Sequence, residues 1–336
     1  MTRPLAALLA LALTLAALPA HAEAVRLTYS NFFPPTHIQS QLAEQWCAEV
    51  EKRTGGAVRV DYFPGGTLTK APEIYDGVTE GLCDIGMSAP GYTRGRFPVL
   101  SAVDLPLGYA NGPAATAVAN AVFEKFRPAE FDAVEVMYFH AHGPGLLHTV
   151  KKPVATLEDL KGLKLRATGN SAKVVQALGA TPVAMSMPDA YQAMQKGVVD
   201  GGLHPVETNK GWKMGEVVRF MTQSRAVAYT TAFYVVINKA RWAAIPPEAQ
   251  AAIRELNVEW AARHGQAWDA SDAEGMEFFL SKGGQVTALG DGEAERWRAA
   301  CAPILDEYVR EAEAAGLDGK AILEFIQATL RQAQGD

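Results

Sequence analysis

The sequence predicts an α/β protein in two lobes that close on a ligand. Three observations carry this. Residues 25–88 alternate strand, helix, strand, helix, strand, which implies a mostly parallel sheet with helices on both faces. YDGVTEGLCDIG at 75–86 and YQAMQKGVVDGG at 191–202 share Tyr, Gly, Asp and Gly at an offset of 116 residues, so each lobe is expected to carry the same helix–glycine–strand unit, facing its twin across a cleft. Residues 247–280 keep a helical period, with Ile253, Leu256, Trp260, His264 and Trp268 three or four apart. At 1.5 Å per residue that helix is about 50 Å long, more than one small lobe, and is expected to bridge both. The length of 336 residues also exceeds the ~150 of a typical single domain.

Composition narrows the class. Hydrophobic residues make up 49% and charged residues 20%, a soluble globular profile. Lys and Arg number 31 against 37 Asp and Glu, and no basic block occurs, which argues against nucleic acid as a partner. Arg3, the apolar run 5–18 and Ala20-His21-Ala22 form a signal peptide pattern with cleavage after Ala22. The run is shorter than the ~20 apolar residues that span a bilayer, and no cysteine follows it to take a lipid. The chain is therefore expected to be exported and soluble. Its cysteines, Cys47, Cys83 and Cys301, match no zinc spacing. Export permits a Cys47–Cys83 disulfide with Cys301 free; three buried thiols are the alternative.

Taken in order, residues 25–30 alternate as a strand and 31–37 form a loop. A helix over 41–53 carries Leu42, Trp46 and Val50 inward and stops at Gly55-Gly56. Residues 58–63 make a second strand, closed by Pro64-Gly65-Gly66. A helix opens near Pro72 and ends before Gly81, and 84–88 is a short strand. In such sheets ligands sit beyond the carboxyl ends of strands, which points to Asn31, Phe32 and the stretch holding Tyr92 and Arg94. A helix at 114–126 and a strand at 134–139 follow. His140 and His142 share a strand face with His148 near. No Cys or carboxylate stands at ligand spacing, so the segment reads as a strand leaving one lobe through a Gly143-Pro144-Gly145 hinge.

The second lobe opens at Lys151. Thr156 and Asp159 form a capping-box pattern, 162–166 is a strand, and 171–178 is a helix closed by Gly179. A loop with Met185 and Met187 precedes a second capping-box pattern, Ser186 with Asp189, and Pro188 takes the first helical position. That helix ends at Gly197, and 198–203 is a strand. Residues 227–238 read as one long apolar strand crossing between lobes. Helices at 293–314 and 320–332 end the chain. The lobes are divided as 23–145 with 236–275, and 146–235 with 276–336.

No GxSxG, GxxxxGK[ST], HExxH or post-strand GxGxxG occurs. Arg166 closes the apolar strand LKLR, where a guanidinium fork can hold a carboxylate by two parallel bonds. His204 ends the neighbouring strand, with Glu207 three residues on. Lys70, Tyr229, Thr230, Phe233 and Trp212 are further pocket candidates. Trp260 and Trp268 read as core residues from their spacing.

These pieces together resemble the solute-binding proteins of TRAP transporters, the tripartite ATP-independent periplasmic family. The resemblance rests on DLKGLKLR (159–166), GATPVAMSMPDAYQAMQKGVVDG (179–201), WCAEVEKRTGGAVRVDYFPGGTL (46–68), DGVTEGLCDIG (76–86), Leu105-Pro106 and VINKARWAAIPPE (236–248). It covers essentially the whole mature chain. It implies a two-lobed periplasmic binding protein fold, with crossing hinge strands and a long helix spanning both lobes. It also implies capture of an organic acid in the periplasm, delivery to a small and a large membrane subunit, ion-coupled uptake, no catalysis and no cofactor. The family's carboxylate-clamping arginine falls on Arg166.

Two departures bear on specificity. His204 stands where many members place Asn in DGxENP, and Gly145 where many have a second arginine in GxR. Met187 replaces an aromatic ring found in several members. The resemblance then implies a monocarboxylate with an apolar or aromatic body, with a 2-oxo acid or dicarboxylate as alternatives. The expected ligand contacts are Arg166, His204, Met187, Asn31, Phe32, Tyr92, Gly145, Phe233 and Tyr229. If His204 donates as a cation, affinity should fall as pH rises through its pKa. An exported enzyme or a ligand sensor on the same scaffold is the competing expectation.

Overall fold

The computed structural model describes residues 24–335; the signal-peptide expectation over 1–22 lies outside them. The first half runs β1 (Val25–Asn31), α1 (Ile38–Arg53), β2 (Val58–Phe63), α2 (Ile74–Thr79), β3 (Ile85–Ser88), α3 (Gly112–Phe126) and β4 (Val134–Ala141). Next come β5 (Leu146–Thr149), β6 (Lys164–Ala167), α4 (Ser171–Ala177), β7 (Thr181–Ala184), α5 (Met187–Gln195), β8 (Gly201–His204), α6 (Thr208–Gly211) and β9 (Phe220–Gln223). The chain ends with β10 (Ala232–Asn238), α7 (Lys239–Ala243), α8 (Pro247–Ser281), β11 (Gln285–Ala288), α9 (Asp291–Cys301), α10 (Pro303–Ala314) and α11 (Gly319–Gln334).

Two mixed sheets result, ordered β2-β1-β3-β10-β4 and β7-β6-β8-β5-β9-β11. The first three strands of each are parallel, and the fourth joins antiparallel. The repeat seen in the sequence is thus a repeat of structure. Gly81 and Gly197 end their helices at φ +78° and +71°, a conformation only glycine adopts without strain. Asp84 Oδ2 accepts from the Thr28 amide at 2.8 Å, and Asp200 Oδ2 accepts from the Lys164 amide at 2.9 Å. In matching register, Ser30 lies opposite Gly86 and Arg166 opposite Gly202.

The lobes are joined by two irregular segments side by side, 142–145 and 224–231, bridged between Gly145 and Tyr229, rather than by one long strand. The expected strand over 227–238 begins only at Ala232, because 225–227 form a 3₁₀ turn. Beside the hinge, the Gly145 amide donates to Tyr229 O at 2.8 Å and Thr230 Oγ1 donates to His142 O at 2.6 Å. The long helix is α8, from Pro247 to Ser281; its apolar stripe packs on α1 and β4, and its later turns reach α6.

Other expectations need correction. The helix over 293–314 is two helices, broken where Pro303 has no amide to continue the ladder. Between Gly179 and the Met185 loop the chain forms the edge strand β7. Ser186 Oγ donates to Asp189 Oδ2 at 2.9 Å instead of capping the α5 backbone, whereas Thr156 and Asp159 do form the reciprocal box. The Cys47–Cys83 disulfide does not form; all three cysteines are free and buried. Cys47 packs with Tyr29 and Trp46 in one hydrophobic cluster, and Cys83 with Tyr75 and Val78 in another. Burial pushes the Cys83 thiol up to about 11 and Cys301 to about 12.

Candidate ligand site between the lobes

A cavity with ≈ 370 Å³ free of atoms lies where the strand ends of both sheets meet. Phe32, Phe33, Tyr92, Trp212, Tyr229, Phe233 and Trp268 supply seven aromatic rings, joined by His142, Arg166, Thr168, Met187, His204, Pro205, Glu207, Thr208 and Thr231. The rings support one another: Phe32 stacks on Phe33 at 4.4 Å between centroids, and Phe233 on Trp268 at 5.4 Å.

Each sheet contributes from the carboxyl ends of its twin unit. From the first come Phe32 and Phe33, just past β1, and Tyr92, past β3. From the second come Arg166 and Thr168, on and past β6, and His204 and Thr208, on and past β8. Arg166 is 4% exposed. Its Nε donates to Met185 O and its Nη1 to Leu203 O, both at 3.1 Å. Those two carbonyls hold the fork rigidly. No carboxylate among the described residues lies within 4.0 Å of the guanidinium, whose further polar neighbour is the Tyr92 hydroxyl. A buried cation without a counter-charge is costly unless an anion meets it.

Of the nine expected contacts, Arg166, His204, Met187, Phe32, Tyr92, Phe233 and Tyr229 line this cavity. Asn31 does not. Its Nδ2 donates to the Tyr62 hydroxyl at 2.8 Å and its Oδ1 accepts from the Phe33 amide at 2.9 Å, so it shapes the turn that presents the two phenylalanines. Gly145 does not either. A Cβ built there would sit 2.2 Å from Tyr229 Cε1. The tyrosine ring fills the space a longer side chain would need, so glycine at 145 and the ring at 229 require each other. Arg94 is exposed, Lys70 Nζ donates to Gly66 O, and Thr230 is spent on the hinge.

Sequence reasoning missed Phe33, His142, Thr168, Pro205, Thr208, Thr231 and Trp268 as cavity walls. Thr168 and Thr208 could have been found, two residues past Arg166 and four past His204. Trp268 could not, because its helical spacing assigns it to the core; it serves both, with Nε1 donating to His140 Nδ1 at 3.1 Å. Glu207, three residues past His204, neither pairs with it nor caps α6 with its side chain. It instead accepts at 2.9 Å from Nε2 of His37, the residue that caps α1, and both side chains are buried. This contact ties the first lobe to the second across the cavity.

Burial favours the neutral form of His142, His148 and His204. Burial first, with His148 and Arg166 adding to it, holds His204 well below the ordinary imidazole value; burial brings His142 down to about 4 and His148 to about 3. Burial thus works against a cationic His204 that donates to the ligand. His204 lies flat on His148, with ring centroids 3.9 Å apart, and a positive charge there would be stripped of water beside a guanidinium.

Comparison with known proteins places this geometry. Residues 29–312 match the family described as bacterial extracellular solute-binding protein, family 7. A marine metagenome TRAP solute-binding protein specific for aromatic acid ligands, in complex with metahydroxyphenylacetate, is 28% identical; the match covers 92% of this chain and 99% of that one, with a TM-score of 0.88. A TRAP solute-binding protein from Rhodoferax ferrireducens, in complex with copurified benzoate, is 30% identical over 93% and 99% of the two chains, with a TM-score of 0.87. The C4-dicarboxylate-binding periplasmic protein DctP of Rhodobacter capsulatus is 30% identical over 74% of this chain and 76% of that protein.

Proposed function

The chain belongs to the bacterial extracellular solute-binding protein family 7, the solute-capturing receptors of TRAP transporters, and on that premise we propose that its ligand is a monocarboxylate with an aromatic body. The observation that carries the reading is one buried guanidinium without a counter-charge, set in a cavity walled by seven aromatic rings. Arg166 receives the carboxylate, because a charge-assisted bond in a water-poor site is about twice as strong as a neutral one. Phe32, Phe33, Trp212, Phe233 and Trp268 enclose the ring, and Met187 and Tyr229 close its sides. A second carboxylate finds no second Lys or Arg in the cavity wall, which favours monocarboxylates over dicarboxylates.

The same reading puts the protein in the periplasm after signal cleavage, with lobe closure carrying the acid to a small and a large membrane subunit and no reaction on the way. The solved structures that bind aromatic acids support the ligand class by their likeness along nearly the whole chain. A thermal-shift screen tests it. Benzoate-type and arylacetate-type acids should raise the midpoint, since a ligand that binds only the folded state stabilises it, and the bound acid should be recovered unchanged by mass spectrometry. Stabilisation by succinate-type diacids alone would overturn the ligand class; conversion of the acid would overturn the receptor role.

A further inference from the structure

The proton positions around His204 carry a consequence for ligand choice. This rests on the function proposed above and deepens it. His204 Nδ1 faces Thr208 Oγ1 at 2.6 Å and Pro205 O at 3.3 Å. The Thr208 hydroxyl reaches the same Pro205 carbonyl at 2.8 Å. A carbonyl oxygen only accepts, so the single hydroxyl proton of Thr208 goes to Pro205 O. The hydroxyl oxygen then offers a lone pair to Nδ1, and Nδ1 must carry a proton. The opposite assignment would set a bare Nδ1 lone pair against the carbonyl lone pairs. A neutral imidazole has one N–H, so Nε2 of His204 is an acceptor. It is buried and has no hydrogen-bond partner among the described residues.

His142 repeats the arrangement. Its Nδ1 lies against Gly143 O, which again places the proton on Nδ1 and leaves Nε2 as an acceptor. Arg166 is the one cationic donor lining the cavity, beside the Tyr92 and Tyr229 hydroxyls and two imidazole lone pairs. A ligand carboxylate is repelled by those lone pairs and goes to the guanidinium. A buried acceptor left unmet costs binding energy, so another group on the ligand has to donate to it.

We propose that His204 Nε2 accepts a hydrogen bond from a ligand hydroxyl, so that this protein selects hydroxylated aromatic acids over their deoxy counterparts. Where binding sites are built to bond a substrate hydroxyl, analogues lacking it are rejected because the site's polar atom stays unpaired. His142 stands second to the same donor or takes a second one.

Calorimetry on the full mature protein tests this with two matched pairs, mandelate against phenylacetate and 3-hydroxybenzoate against benzoate. The hydroxyl of at least one pair should tighten binding about tenfold, the scale of one well-made hydrogen bond in a buried site. His204→Leu should bring the ratio of hydroxy-acid to deoxy-acid affinity close to one, and His204→Asn, whose amide oxygen can accept, should keep part of the preference. Equal affinity within both pairs overturns the inference and leaves the proposed function standing. Binding of none of the four acids overturns both. A second measurement does not depend on any variant folding: ¹⁵N spectra of the imidazoles should show His204 protonated at Nδ1 and bare at Nε2. A proton on Nε2 would overturn the inference outright.

Discussion

The two jaws of the cavity are built on the same plan and end in opposite chemistry. In the first, β1 and β3 meet with Ser30 opposite Gly86; in the second, β6 and β8 meet with Arg166 opposite Gly202. Phe32 occupies the place in the first unit that Thr168 has in the second, and Tyr92 that of Thr208. One jaw is a wall of rings and the other an array of polar groups. The backbone units supply position, and the side chains at their ends supply chemistry. A ligand with an apolar body and an acid head is matched by that division of labour, because rings bury area without demanding direction while the guanidinium demands it.

Exchanging roles between equivalent positions gives the sharpest tests. Arg166→Ala should cost ~2–5 kcal/mol of binding to whichever acid stabilises the wild type, much of it the ligand charge left unpaired. Its counterpart Ser30→Ala should leave affinity unchanged and cost about 1 kcal/mol of stability through the lost 2.7 Å bond to Thr69. Calorimetry with far-UV dichroism as a folding check separates these. Arg166→Lys, which keeps charge but loses the fork, should fall between; equal affinities for Arg166→Ala and Ser30→Ala would erase the distinction between the jaws.

The shared aspartates should matter unequally. Asp84 takes the Thr28 amide and hydroxyl and pairs with Arg241 at 2.9 Å. Asp200 takes the Lys164 amide at a more exposed site. Urea unfolding should show Asp84→Ala losing ~1.5–3 kcal/mol, the range for bonds to a charged group, and Asp200→Ala losing less. The reverse order would refute this ranking of the two units.

The glycines at matching positions predict a split. A Cβ on Gly86 would lie 2.5 Å from Ile74 Cγ2 and 2.7 Å from Val78 Cγ2, both stiff β-branched side chains. Gly86→Ala should therefore cost ~1–3 kcal/mol of stability by overpacking. At Gly202 the close atoms are the mobile Met194 Cε at 2.9 Å and Arg166 Cβ at 3.1 Å. Gly202→Ala should cost less stability and instead weaken binding, by pushing the arginine off its two carbonyls. Unchanged affinity in that variant would show that Arg166 has slack.

The smallest effect is in pH, and its sign differs between the jaws. His148, under His204 in the polar jaw, is held at about 3 by burial. A lowered histidine contributes stability that is whole above its unfolded value near 6.5 and is lost as pH falls. Glu130, beside the first sheet, is raised to about 7 by burial, so its contribution is whole below about 4.5 and is lost as pH rises through 7. Between pH 6 and 5 the wild type should lose on the order of 1 kcal/mol relative to His148→Gln. Between pH 6 and 8 it should lose stability relative to Glu130→Gln. Parallel denaturation profiles for wild type and variants would refute either half.

Much of this was legible in the sequence. The alternation over 25–88, the unit repeated at 191–202 and the period of 247–280 depend on residues a few positions apart, and local hydrophobic spacing specifies them. Arg166 was legible too, as a charge ending an apolar strand. What only the tertiary structure decided lies in contacts between distant segments. Tyr229 covers Gly145, so the missing arginine is a filled space and not an opened one. His37 meets Glu207 across 170 positions of chain. Cys47 and Cys83 went to separate clusters although both are buried. Nor does sequence say which nitrogen of His204 bears the proton, since a threonine and a carbonyl on the following turn decide it. Spacing along the chain determines which face each residue presents. Which face it meets depends on how the two lobes close, and there burial turns an ordinary histidine into a neutral acceptor and an ordinary arginine into an unmatched charge.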